Sequence, residues 1–267
     1  MGNLTAWEKM QLIHEKERPC AADYIPQIFN DIYELHGDRL YGDDKAVYGA
    51  VCRLGERPVT VIAQMKGHNL SENKERNFGM MHPEGYRKAM RLMKQAEKFK
   101  RPIICFIDTP GAFCGVEAEK RGQGEAIAFN IAEMMQLNTP VISVVLSEGG
   151  SGGALGLGVC DELIMMSNAL YSVISPRGFA SLLWKDSSRE EEAADLMKIT
   201  AQDLKKLGIA EKIIEEPEGG AQKSIKECAL SLKESLEESV KRLINKSTDE
   251  LMEERYMKFR RIGDFIE

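Results

Sequence analysis

Pro140-Val141-Ile142-Ser143-Val144-Val145-Leu146-Ser147-Glu148-Gly149-Gly150-Ser151-Gly152-Gly153-Ala154-Leu155 is the stretch that decides the fold. A proline precedes a β-branched apolar run at 140–146, five small residues follow, and a helix is expected over about 153–159. Residues 102–108, the turn Thr109-Pro110-Gly111-Ala112-Phe113 and a helix over about 118–137 repeat the pattern upstream. Two strand, loop and helix units in succession predict an α/β protein.

Working outward, residues 47–54 and 59–65 read as strands joined by the turn Gly55-Glu56-Arg57-Pro58. Pro83 opens a helix at a position where its missing N–H costs nothing, and Tyr86, Ala89, Met90, Met93 and Ala96 follow at helical spacing. Its other face carries Arg87, Arg91, Lys94, Lys98 and Arg101, either a solvated basic face or an attractor for a phosphate or an acidic partner. Tyr24, Ile28, Ile32 and Leu35 predict a helical entry segment. Strands are expected at 162–166 and 171–174, and Ser175-Pro176 starts a short helix. Beyond about residue 187 charged helices are expected, with the stripe Ile225, Cys228, Ala229, Leu232, Leu236, Val240 and Leu243 facing core or a subunit, and a cap at Ser247. The organisation expected is one domain over 1–267, with an entry segment at 1–45, a core at 46–186 and a helical part at 187–267.

The net charge of −6 and the lack of a Lys or Arg block give no support to a nucleic-acid partner. The aliphatic runs are short, and Trp7, Glu8 and Lys9 stand where a signal peptide would be basic then apolar, so a cytoplasmic chain off the membrane is expected. Cys20, Cys52, Cys105, Cys114, Cys160 and Cys228 form no Cys-x-x-Cys pair, and only four histidines are present. Reduced buried thiols and no metal in this chain are the expectation.

Three chemistries use a glycine loop between strand and helix. In a dinucleotide site the third glycine is misplaced here, and Tyr171-Ser172-Val173 stands where an acidic ribose ligand belongs. The run Gly149-Gly150-Ser151-Gly152-Gly153 fits Gly-x-Ser-x-Gly, but His14, His36, His68 and His82 all precede Ser151, so the downstream base of that fold is missing. The third uses the loop's N–H groups as an oxyanion hole, where a Cβ would block the ligand oxygen. A structural glycine turn remains open beside it.

Several long motifs carry a resemblance. They are Arg76-Asn77-Phe78-Gly79-Met80, Pro83-Glu84-Gly85-Tyr86-Arg87-Lys88-Ala89, Phe106-Ile107-Asp108-Thr109-Pro110-Gly111-Ala112-Phe113 and Arg121-Gly122-Gln123-Gly124-Glu125-Ala126-Ile127-Ala128. Glu148 through Leu155, Tyr171-Ser172-Val173-Ile174-Ser175-Pro176 and Leu183-Trp184-Lys185 extend it. Together they resemble the carboxyltransferase alpha subunits of bacterial acetyl-CoA carboxylases over about residues 23–261.

The resemblance implies a crotonase-like superhelix of ββα turns with helical N- and C-terminal additions. It implies transfer of a carboxyl group from biotin, tethered to a separate carrier protein, to acetyl-CoA, giving malonyl-CoA for fatty acid synthesis. The partners implied are a beta subunit with a zinc ribbon in an α2β2 assembly, a biotin carboxyl carrier protein and biotin carboxylase. A carboxyltransferase or decarboxylase acting on another acyl-CoA is the alternative. By resemblance the Gly152 and Gly153 N–H groups stabilise the biotin ureido oxygen, and released biotin takes the methyl proton. Gly111, Ala112, Gly149 and Gly150 are expected to line the same pocket, with Phe113 as an apolar wall. Asp108 and Glu148 are read as loop-fixing acceptors. Arg177 and Phe179 depart from the family's acidic and small residues, and the N-terminal helical extension is shorter than in many members.

Overall fold

The computed structural model describes residues 4–263; residues 1–3 and 264–267 of the expected domain lie outside them. Helices α1 (Ala6–Ile13) and α2 (Ala21–Ile28) open the chain, the first closed by a reciprocal cap between Thr5 and Glu8. The helix expected through Ile32 and Leu35 stops at Ile28, and Asn30–Glu34 is a strand, β1, antiparallel to β2 (Val47–Leu54). Asn30 and Asp31 bond readily to nearby backbone and are poor helix formers, and Asp31 takes a φ of 49°. The edge of β2 then supplies the backbone partners that a helix would have provided.

The expected hairpin forms, with β3 (Arg57–Gln64) in register from Leu54 opposite Arg57 to Val47 opposite Gln64. Gly55 makes its two-residue turn at a φ of 57°. Helices α3 (Leu70–Glu75) and α4 (Pro83–Lys98) lead to β4 (Ile103–Thr109). The single helix expected at 118–137 is two, α5 (Val116–Lys120) and α6 (Gln123–Met135), because Gly122 takes a φ of 83° between them. Next come β5 (Val141–Gly150), α7 (Ser151–Leu155), β6 (Glu162–Met166) and β7 (Leu170–Ser172). Helix α8 (Pro176–Phe179) runs into a π-helical turn at Ala180–Trp184. The remainder is α9 (Glu190–Leu196), α10 (Ala201–Lys206), β8 (Lys212–Ile214), α11 (Ile225–Leu243) and α12 (Thr248–Arg260).

The sheet order is β1-β2-β3-β4-β5-β6-β8, parallel from β3 onward. Strand β5 is its axis: its first half pairs with β6, and its last three residues pair with β7. Three residues are too few to show alternation, which is why β8 was not expected in the helical C-terminal part. Helix α4 buries Tyr86, Ala89, Met90, Met93 and Ala96 against the sheet and α6, and α11 buries its predicted stripe. Helix α12 is fixed by one buried side chain. Arg255 holds Asp161 through two bonds of 2.8 Å and donates to the carbonyls of Met134, Leu137 and Thr139.

Candidate active site

Strands β4 and β5 end side by side, and their register slips there. Ile107 faces Val145 but Thr109 faces Gly149, so two steps along β4 span four along β5. The slip throws the turn after β4 across the turn after β5. A Cβ on Gly150 would stand 2.1 Å from the Pro110 carbonyl oxygen, and one on Gly153 would stand 2.3 Å from the Gly111 carbonyl carbon. Glycine is needed at both positions so that backbone can pass backbone. Gly149 is closed by the Tyr171 ring, 2.7 Å from the same construction. The other two glycines differ. A Cβ on Gly111 would meet nothing within 4 Å, and one on Gly152 would meet only the Ile127 side chain, at 3.7 Å.

The strand runs through Gly149 and Gly150, which pair with Tyr171 and Ser172, so the turn begins later than the sequence predicts. Ser151 is exposed, has a φ of 49°, and starts α7, whose first turn has no side-chain cap. The N–H groups of Gly152 and Gly153 therefore have no partner within their own helix. In the facing turn Gly111 donates to Thr109 Oγ1 at 3.2 Å and Phe113 to the Met81 carbonyl at 3.2 Å. Ala112 N–H has no protein acceptor among the described residues. Phe113 stacks on His82 with centroids 4.1 Å apart. Gly111, Ala112, Phe113, Gly152 and Ile127 are all half-buried, while Gly153 is buried. They form an open shelf.

Behind the shelf lies a charged network that the sequence reading missed in part. Lys66, just past β3, sits 2.6 Å from Glu148 Oε1 and 2.9 Å from Asp108 Oδ1. His14 Nε2 reaches Glu148 Oε2 at 3.4 Å. Burial alone would raise the Glu148 carboxyl, but Lys66 and His14 outweigh it and hold the group at about 2. Burial would likewise lower Lys66, yet the two carboxylates push it well above the usual lysine range. Asp108 Oδ1 accepts the Glu148 N–H at 3.4 Å, the loop-fixing contact expected of Asp108, whereas the Glu148 carboxylate is taken up by the Lys66 and His14 side chains. Arg18 adds bonds to the Leu146 carbonyl, Ser147 Oγ and the buried Glu216.

These charges floor a chamber of about 720 Å³, and a narrower one of about 110 Å³ is lined by Gly149, Gly150 and Ser151; the two share Ile13, His14, Pro110 and Glu148. An upstream histidine thus reaches the chamber that Ser151 lines, which sequence order did not anticipate. His14 is engaged by Glu148, and no hydrogen bond joins it to Ser151 among the described residues. The left-handed run Asn77, Phe78 and Gly79, with φ of 47°, 55° and 80°, packs beneath Asp108; a Cβ on Gly79 would lie 2.5 Å from the Asp108 carbonyl oxygen.

The basic face of α4 is largely spent inside the chain. Arg87 pairs with Asp38, Arg91 with the Gly37 carbonyl, Lys94 with Glu133 and Arg101 with Thr60 Oγ1. Arg177 is exposed, with no ion pair among the described residues, and Phe179 packs edge-on against Trp184. Five cysteines are buried as expected, but Cys114 is exposed on the loop after Phe113. Cys20, Asp23 and His68 converge, with His68 Nε2 at 3.2 Å from Asp23 and 3.9 Å from Cys20 Sγ. Their separation in sequence hides that meeting.

The protein-family model described as acetyl co-enzyme A carboxylase carboxyltransferase-like matches residues 1–263. The carboxyl transferase subunit alpha of acetyl-coenzyme A carboxylase from Clostridium acetobutylicum is 58% identical over 264 residues, covering 99% of this chain and 96% of that protein. A Clostridium tetani protein named as subunits beta/alpha of the same enzyme is 54% identical; the match covers 99% of this chain and 46% of that one. Among solved structures, transcarboxylase 12S superposes with a TM-score of 0.71 at 16% identity, covering 89% of this chain and 45% of that one. A Pseudomonas malonate decarboxylase hetero-tetramer gives 0.65 at 16% identity, with 80% and 86% covered. The structural likenesses establish the crotonase-like fold. The sequence relationships go further: this chain belongs to the family of acetyl-CoA carboxylase carboxyltransferase alpha subunits.

Proposed function

We infer that this chain is the alpha half of an acetyl-CoA carboxyltransferase, which transfers a carboxyl group from biotin on a separate carrier protein to acetyl-CoA and forms malonyl-CoA. The observation that carries the reading is the open shelf. Gly152 and Gly111 have free space over them, and the amides of Gly152 and Gly153 lack a partner within their helix. A flat ureido ring fits such a surface because no Cβ stands in its way.

Bound biotin supplies the carboxyl group and the oxygen on which charge develops. The chain's own contribution is to point the Gly152 and Gly153 N–H groups at that oxygen, in a position fixed before reaction. Gly150 and Gly153, crossed against Pro110 and Gly111, hold them there, with Gly149 packed on the Tyr171 ring; Ala112 N–H has no protein acceptor among the described residues, and Phe113 with His82 walls one side. Lys66 bridges the Asp108 and Glu148 carboxylates, and the three serve as struts for the turns, so none is required as a base. Ser151 acts as a spacer.

An open shelf is half a site. Val173, which lines the narrow chamber with Gly149, Gly150 and Ser151, and Leu182, Leu183 and Leu196, in the π-helical turn and on α9, are exposed apolar residues and suit a docked beta subunit. The fused arrangement named for the Clostridium tetani relative supports such a partner. The full reading is an α2β2 assembly in which the beta subunit carries a zinc ribbon, served by a biotin carboxyl carrier protein and biotin carboxylase. Six free thiols suit a reducing cytoplasm, and no described helix is long and apolar enough to cross a membrane.

The test is reconstitution. This chain and a beta subunit are purified together, metal is assayed in each, and malonyl-CoA formation is followed with carboxylated biotin carrier. Activity only in the complex, with acetyl-CoA preferred in an acyl-CoA panel, supports the reading. Full turnover by this chain alone contradicts it.

A further inference from the structure

Gln64 closes β3 after the apolar residues Val61, Ile62 and Ala63, and its side chain is fully buried. An amide taken out of water is tolerated when its donors and acceptor are used, and here they are. Oε1 accepts the Asp108 N–H at 3.1 Å. Nε2 donates to the Gly153 carbonyl at 2.7 Å, and Met81 Sδ lies 3.4 Å from the same nitrogen.

Both backbone groups are ones that regular structure leaves over. Asp108 falls inside the register slip between β4 and β5. The Gly153 carbonyl is passed over by its helical partner, because Leu157 N–H turns to Ala154 at 3.0 Å instead. One side chain therefore ties the end of β4, from which the turn carrying Ala112 departs, to the turn that carries Gly152 and Gly153. No other side chain among the described residues bonds to the backbone of both.

We propose that Gln64 is a positioning residue for carboxyl transfer, holding the two turns at the spacing that aims the Gly152 and Gly153 amides at the ureido oxygen. The proposal rests on the oxyanion reading of those glycines. The Gly153 carbonyl sets the peptide that follows the two donor amides, while Asp108 N–H sets where the facing turn departs from its strand. Helix α7 has only five residues, so little else within it fixes that direction.

Two variants in the reconstituted complex separate positioning from plain support. Gln64→Leu keeps the volume and removes both bonds; kcat falls roughly 10- to 100-fold while the KM for acetyl-CoA stays within about threefold. Gln64→Glu keeps the acceptor for Asp108 but loses the donor to Gly153 while ionised. Burial raises that carboxyl, and its protonated form regains an O–H donor, so the ratio of the variant's kcat to that of the native complex climbs as pH falls. Gly152→Ala is measured alongside. Native kcat in Gln64→Leu with a slowed Gly152→Ala overturns the role of Gln64 and leaves the glycine reading standing; native kcat in both overturns the glycine reading as well. Should Gln64→Leu fail to assemble, the Gln64→Glu ratio decides: a rise at low pH supports the proposal, and a flat ratio overturns it.

Discussion

Replacing Gly152 with alanine puts a methyl group 3.7 Å from the Ile127 side chain, an ordinary contact, at a position whose φ is not positive. The fold accepts it. Within α7 alanine is favoured over glycine by up to about 1 kcal/mol, since the unfolded chain has less freedom to lose, so thermal stability stays level or rises. Turnover moves the other way. The new methyl stands on the shelf where the ureido oxygen must approach, and blocking access to such a donor costs on the order of 10²–10³ in rate. Gly153→Ala and Gly150→Ala act through a different physical cause. Their methyl groups would lie 2.3 Å from Gly111 and 2.1 Å from Pro110, both backbone, so the crossing of the two turns must open. Overpacking of that kind costs about 1–3 kcal/mol, or roughly 2–12 °C in melting temperature for a chain of this size. The assay pairs thermal unfolding of each variant with malonyl-CoA formation by its complex. Native turnover in Gly152→Ala, or native stability in both of the others, would refute the division of roles among the glycines.

Ser151→Ala should leave turnover within about threefold of native, because main-chain donors do the work; loss of activity by orders of magnitude would restore a nucleophilic serine. Glu148 has its carboxyl at about 2 in the folded chain against an ordinary 4.5. A depressed carboxyl adds stability that is complete above its ordinary value and is lost as pH falls from there toward the folded value. The loss reaches about 3 kcal/mol at most, so denaturation midpoints measured from roughly pH 6 to pH 3 should fall more steeply in native protein than in Glu148→Gln. Arg255→Met removes the charge that five acceptor contacts surround and should cost about 3–5 kcal/mol in urea unfolding; a change under about 1 kcal/mol would mean that α12 is anchored elsewhere.

The strands β2, β4 and β5 were legible because apolar, β-branched runs at 47–54, 102–108 and 140–146 were punctuated by Gly and Pro. The α11 stripe and the Ser247 cap were legible from helical spacing and capping chemistry. Where tertiary pairing overrode local pattern, the reading failed. Ile32 and Leu35 continue a helical period, yet the free edge of β2 draws Asn30–Glu34 into a strand. The glycine turn was found for a partly different reason than the structure supplies. Gly150 and Gly153 are required by the Pro110 and Gly111 backbone, a contact between residues some 40 apart that follows from a register slip. Lys66, His14 and Gln64 carried no motif of their own, and their roles come from where β3 and α1 end relative to β5. Gln64 had one faint signal, a polar side chain closing an apolar strand.

The most direct measurement is a structure of the assembled complex with a biotin analogue bound. The account predicts the ureido oxygen within about 3.1 Å of the Gly152 and Gly153 nitrogens, with Gly150 and Gly153 still crossed against Pro110 and Gly111. A ureido oxygen more than about 4 Å from both nitrogens, bonded instead to Lys66 Nζ or Ser151 Oγ, would contradict it.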